Sequence, residues 1–211
     1  MNSADFASLL CSRLCHDLVG PVGALYNGVE LLVDEHDPEM RARCMELLSD
    51  SARQTANKLK FFRLAFGAAG GFGDQVDTRE AQAALEGLFG AERRVAVQWM
   101  IGNPALPKDA VKLLLNLAMI AGDALLRGGE LRVAAEQTGD GVELAVRAEG
   151  PRMLLDPELR TALGGETDVA QLTPRAAAAY LVHLLLQETG SSLQISEPDE
   201  GVLVFGTRIS V

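Results

Sequence analysis

The residues most able to do chemistry in this chain are Cys15-His16-Asp17, followed by Pro21. An imidazole is the one side chain that changes charge near neutral pH in its ordinary state, and it can serve as nucleophile, base or metal ligand. Cys11 and Cys15 lie one helical turn apart beside His16, which raises a metal site as one reading. The chain has three cysteines, counting Cys44, with no CxxC pair and one thiol left over in any disulfide scheme. Cys11 and Cys15 project toward the apolar side of their helix, so the expectation for both is a small buried thiol.

The element that must position His16 is a helix predicted over residues 6–33. Leu10, Leu14, Leu18, Val22, Leu25, Val29 and Leu32 recur at the spacing of one helical stripe. At about 100° per residue, His16 points away from that stripe. Ser12, Gly20, Gly23, Asn27 and Glu30 share its face. A glycine inside a helix costs roughly 1 kcal/mol relative to alanine, so two of them beside an imidazole suggest a patch cleared for close approach; close helix packing is the alternative. Asn2 and Ser3 are candidate caps, and Pro21 removes one helical hydrogen bond a turn beyond His16.

Asp34-Glu35-His36-Asp37-Pro38 is a short polar turn, with Asp37 as N-cap and Pro38 in the first helical position. A second helix is predicted over 38–66, with Cys44, Leu47, Leu48, Ser51, Thr55, Leu59, Phe62 and Phe66 as its stripe. So short a turn makes the two helices antiparallel. A lone hairpin leaves half of each stripe uncovered, and two chains pairing as a four-helix bundle would cover it. The expectation is a homodimer with a helical dimerisation domain at 1–68, exposing one His16 per subunit.

The glycine-rich stretch 67–74 reads as a linker, and a second domain is expected over 75–211. Helices are predicted at 78–89, 108–126, after Asp156-Pro157, and at 174–188. Strands are predicted at 94–101, 130–137, 142–148, 193–197 and 202–209, with turns at Asp140-Gly141 and Asp199-Glu200-Gly201. The fold class is therefore α+β, a helical hairpin followed by an α/β sandwich. The net charge of −10 argues against nucleic acid and against an anionic membrane as partner. No stretch reads as a signal peptide or a membrane span, so the expected location is cytoplasmic.

A histidine-bearing hairpin followed by such a sandwich resembles the dimerisation and ATP-binding halves of sensor histidine kinases. His16-Asp17-Leu18-Val19-Gly20-Pro21 resembles the kinase phosphoacceptor box. Leu114-Leu115-Asn116-Leu117-Ala118-Met119-Ile120-Ala121 resembles the ATP-domain helix, with Ile120 where active kinases carry a magnesium-holding Asn. Ala148-Glu149-Gly150 stands where an Asp-x-Gly grips adenine, and the Asp is missing. Only Gly164-Gly165 remains of the glycine-rich lid. Losing these groups removes the specific and charge-neutralising contacts to a triphosphate.

An intact histidine box beside a degraded nucleotide site is similar to the ChpT-type dimeric histidine phosphotransferases. Leu14-Cys15-His16-Asp17, the run from Arg63 through Phe66 to Ala68, and Gly150-Pro151-Arg152 fit that family. The resemblance implies a relay in which His16 takes phosphate from a hybrid kinase's receiver domain and passes it to response regulators. It implies no ATP and no metal of the chain's own, with Mg²⁺ supplied by the receiver. Asp17 would orient the ring or raise its basicity. Gly20 replaces the Thr, Ser or Asn that phosphatase-competent kinases carry, which argues against intrinsic phosphatase activity.

Ser12, Arg13, Gly20, Gly23 and Asn27 are the candidate partner-binding residues; Arg13 reads equally as a solvated surface arginine. Arg152 and Arg160 are further candidates for gripping a bound regulator. His183 lies among leucines and reads as a core or flank histidine, His36 as an exposed turn residue, and Asn116 as a buried polar group bonding backbone. Two other readings stand beside the relay. One is a working kinase with a divergent ATP site; the other is a kinase-like scaffold that binds regulators without chemistry.

Overall fold

The computed structural model describes residues 2–67, 74–90, 94–168, 171–197 and 201–210. Most of the expected linker, and Asp199 and Glu200 of the last expected turn, lie outside them. The first helix, α1 (Ser3–Asp34), starts earlier than the apolar periodicity alone places it, because Asn2 and Asp5 form a reciprocal capping box at its N-terminus. It runs unbroken through Pro21. Asp37 caps α2 (Pro38–Ala65) by accepting from the amides of Glu39 and Met40. The two helices pack against each other as an antiparallel hairpin. At their crossing Gly28 is buried under Leu48, whose Cδ2 would stand 2.8 Å from any β-carbon there.

The remainder is an α/β sandwich. A small antiparallel pair, β1 (Gln75–Asp77) and β3 (Ala105–Pro107), brackets α3 (Thr78–Phe89) and β2 (Val95–Trp99). Then follow α4 (Lys108–Asp123), β4 (Gly129–Thr138), β5 (Gly141–Glu149), α5 (Pro157–Gly164), α6 (Ala177–Glu188), β6 (Gln194–Ile195) and β7 (Val202–Ser210). The main sheet has the order β2-β4-β5-β7-β6, parallel only between β2 and β4. Burial alternates along its strands: Leu131, Val133, Leu144, Val146, Leu203 and Phe205 face inward, where α4 covers them, and Ala145 and Glu143 face solvent.

Several boundaries differ from the sequence expectation. The β1–β3 pair has no counterpart among the predicted strands, since its strands are only three residues long and two prolines punctuate the second region. Helix α4 stops at Asp123, and the chain reverses through Gly128 and Gly129 at φ +77° and +151°, which only glycine adopts without strain. Helix α6 begins at Ala177 because residues 174–176 form a turn in which the Thr173 hydroxyl accepts the Ala176 amide proton. Strand β6 keeps only two of its five expected residues.

The end of the hairpin and the sandwich share one core. Phe61, Phe62, Leu64 and Ala65 of α2 are buried with Leu85 and Phe89 of α3 and Leu114 of α4. Arg63 pairs with Glu80 across the same junction. At the same end of the hairpin, near the start of α1, the Phe6 ring meets Tyr180 edge-on at 5.7 Å, and Tyr180 stacks on His183. His183 in turn fills the space over Gly165, where a β-carbon would lie 2.0 Å from its ring. His183 is therefore a packing residue, and His36 is exposed.

Candidate functional site around His16

His16 stands at the middle of α1 with 86% of its side chain exposed, so its outward direction follows the helical pattern. Ser12, Gly20 and Asn27 are exposed on the same face and Gly23 is half-buried. A β-carbon at Gly20 or Gly23 would meet no atom within 4 Å, so crowding inside the chain explains neither glycine. The surface beside the imidazole is open.

The thiols depart from expectation. Cys44 is buried, but Cys11 and Cys15 are exposed. The apolar side of α1 is wider than α2 can cover, and both cysteines fall on its uncovered flank with Val22, Val29 and Val33. Among the described residues no group of three or more His, Cys, Asp or Glu side chains is placed to hold a metal ion.

Asp17 is the organised partner. Its Oδ1 lies 3.3 Å from His16 Nδ1, and its Oδ2 accepts from Arg13 Nε at 2.7 Å. The pairing with Arg13 follows from their spacing, one turn apart on the helix. Arg13 is turned inward, with only 16% of its side chain exposed. Its Nη1 donates to the Arg175 carbonyl at 3.3 Å and its Nη2 lies 3.6 Å from Asp123 Oδ2. Its charge is thus spent on three internal acceptors.

Sequence reasoning missed Lys58. Pro21 has no amide proton, so the Asp17 carbonyl four residues before it loses its helical donor. Lys58 of α2 supplies the missing proton, its Nζ donating to the Asp17 carbonyl at 2.6 Å. The signal was present: a proline inside a helix predicts an orphan carbonyl, and the hairpin register brings a lysine to that level.

The cleft between α4 and α5 differs in kind. Ile120, at the magnesium position of the kinase motif, is 3% exposed, and Ala148, at the adenine-gripping position, is fully buried in the core. Glu149 pairs with Arg147 at 2.5 Å. Asn116 is fully buried, donating to the Lys112 carbonyl at 2.8 Å and to the Ala65 carbonyl at 2.9 Å, so it caps the end of α2. The cavity that Ile120 lines is about 200 Å³, bordered also by Arg13, Asp123, Asp156, Leu159 and Arg175. Of the two sandwich arginines singled out from the sequence, Arg160 is engaged with Glu197 and the Ser196 carbonyl, and Arg152 is exposed. No helix among the described residues is long and apolar enough to cross a membrane.

A kinase-like sandwich with its nucleotide motif packed shut, joined to a hairpin that displays a histidine beside an acid, defines a histidine phosphotransferase. The family model for the histidine phosphotransferase C-terminal domain matches residues 78–201, and the chain belongs to that family. Its activity is phosphoryl transfer within a phosphorelay. The chain is 34% identical to the protein phosphotransferase ChpT of Brucella abortus (strain 2308), over 96% of this chain and 95% of that one. A bacterial phosphotransferase structure solved at 1.7 Å superposes with a TM-score of 0.86 at 32% identity, covering 98% of this chain and 97% of the other.

Proposed function

We propose that His16 is the phosphoacceptor, shuttling a phosphoryl group between the aspartates of receiver domains in a hybrid kinase and in response regulators. The observation that carries this is an imidazole 86% exposed whose Nδ1 is faced by a carboxylate. A carboxylate there favours the proton on Nδ1 and leaves the Nε2 lone pair facing solvent. In the forward step Nε2 attacks the phosphorus of an aspartyl phosphate, an N–P bond forms, the O–P bond breaks, and the carboxylate leaves. The Nδ1 proton stays shared with Asp17, which stabilises the positive charge that develops on the ring. The reverse step, with a second receiver's carboxylate as nucleophile, empties the site.

Ser12, Gly20, Gly23 and Asn27 form the surface on which a receiver docks; on the sandwich Leu126, Leu154 and Arg152 are exposed, and Leu154 lines a cavity together with Arg13. Mg²⁺ enters with the receiver. The sandwich holds no nucleotide in this reading: Ile120 and Ala148 are core residues, and the cavity that Ile120 lines is about 200 Å³. The chain acts as a homodimer. Helix α1 buries only Pro21 and Gly28, and leaves Val22, Val29 and Val33 uncovered, with Met45 and Leu59 likewise exposed on α2. An apolar face of this extent on a two-helix hairpin is covered by a second copy in a four-helix bundle.

The test uses a panel of isolated receiver domains loaded with radiolabelled acetyl phosphate. Label passes to the wild-type chain within seconds and not to His16→Ala. Transfer to His16→Ala overturns the assignment. Light scattering gives twice the chain mass for the wild type and the single-chain mass for Val29→Glu.

A further inference from the structure

We propose that Arg13 is a positioning residue for phosphoryl transfer: seated on the sandwich, it fixes the Asp17 carboxylate against Nδ1 of His16 and so keeps Nε2 the reacting nitrogen. This rests on His16 being the acceptor. The inference starts from one guanidinium that serves three acceptors from three nitrogens. Nε donates to Asp17 Oδ2 at 2.7 Å, Nη1 donates to the Arg175 carbonyl at 3.3 Å, and Nη2 faces Asp123 Oδ2 at 3.6 Å. The planar fork of arginine can satisfy such a set at once, and a lysine ammonium on its flexible stem cannot hold the same geometry.

The consequence is directional. A lone i,i+4 pair on a helix is weak and its carboxylate samples several rotamers. Here the arginine is held from outside the helix. Asp123 closes α4 and Arg175 precedes α6, so Arg13 is clamped by the sandwich. With Oδ2 committed to Arg13, only Oδ1 is left for the imidazole, and it lies 3.3 Å from Nδ1. Arg175 does not compete for Asp17, because its own guanidinium is paired with Asp156 at 2.9 Å. The same cleft that in the kinase pattern would hold a nucleotide is lined by the Arg13 side chain. The sandwich has exchanged a nucleotide for a support on which the acceptor's carboxylate is set.

Two measurements test this on the full-length chain. The first is the tautomer of His16, read from imidazole ¹⁵N shifts without any receiver. The wild type shows the Nδ1–H form, and Arg13→Met shows a mixture in which the Nε2–H form grows. The second is transfer from the fastest phosphorylated receiver of the panel. Arg13→Met lowers the rate at saturating receiver roughly tenfold to a hundredfold, the scale of a misplaced reacting group, and leaves the half-saturating concentration within about twofold. Arg13→Lys recovers part of the rate. Asp123→Asn gives the same signature more weakly, and decides the matter alone if Arg13→Met does not fold. A raised half-saturating concentration with an unchanged maximum rate and unchanged tautomer overturns the proposal and puts Arg13 in the docking surface. An Asp123→Asn chain with wild-type rate and tautomer overturns the role of the sandwich. Label reaching His16→Ala is a separate result, and fails the acceptor assignment instead.

Discussion

Two helices of this chain carry the stretches that resemble histidine-kinase motifs, and they are built to opposite specifications. Around His16, α1 is open: the acceptor is solvent-exposed, Gly20 and Gly23 have no neighbours within 4 Å of a β-carbon, and the helix buries only Pro21 and Gly28. Around Asn116, α4 is closed: every residue of the run 110–122 except Lys112 is buried, and the phenyl ring of Phe89 fills the place a side chain on Gly122 would take. A site that meets a macromolecular partner keeps exposure at a cost in local stability. On the proposed reading, in which the sandwich binds no nucleotide, α4 is free to take the packing optimum, and its motif position at Ile120 is apolar.

The sharpest way to break this contrast is to exchange the two residue classes. His16→Ala removes all label transfer yet changes unfolding free energy by no more than ~0.5 kcal/mol, as expected of an exposed position. Leu114→Ala, fully buried in α4, costs about 2–5 kcal/mol in urea unfolding. It leaves the transfer rate per folded molecule near wild type. If instead the α4 variant halts transfer in fully folded protein, the α4 core supports the acceptor beyond the Asp123–Arg13 contact.

Restoring the kinase amide is a narrower test. Ile120→Asn places a polar group where the side chain is 3% exposed, at a cost of about 1–3 kcal/mol for each unsatisfied group. Fluorescent ATP with magnesium remains unbound, because Ala148 still offers no carboxylate. Saturable micromolar binding by the wild-type chain would return the divergent-kinase reading. Next in size comes Lys58→Met, which leaves the Asp17 carbonyl without the donor that Pro21 cannot supply. It is expected to lower stability by about 1 kcal/mol, the net worth of one such bond. The change is read in urea unfolding, and Lys58→Arg restores most of it.

Legibility in the sequence followed the range of the interaction. The outward face of His16, the caps at Asn2 and Asp37, and the span of α3 depend on residues within a turn or two, and the pattern predicted them. Arg13 shows the limit. Its position one turn before Asp17 was plain, but its inward turn depends on Asp123 and Arg175, more than a hundred residues away. Cys11 and Cys15 show the converse: periodicity pointed them toward the apolar side of α1, and could not tell that α2 leaves both exposed. The β1–β3 pair failed for a third reason, since three-residue strands are too short to display alternation.

The smallest expected effect bears most directly on why α1 is open. Within this chain nothing prevents an alanine at Gly20 or Gly23, because each β-carbon would enter free space and neither backbone has a positive φ. Gly20→Ala therefore stabilises α1 by roughly 0.5–1 kcal/mol, the intrinsic helix-propensity difference, readable as a higher urea midpoint at unchanged slope. If the glycine is kept for a docked receiver, the same variant raises the half-saturating receiver concentration and leaves the maximum rate alone, the opposite signature to Arg13→Met. A stabilised chain with unchanged transfer would mean that the cleared patch is not where the receiver sits, and would shift the docking surface toward the sandwich edge at Leu126, Leu154 and Arg152.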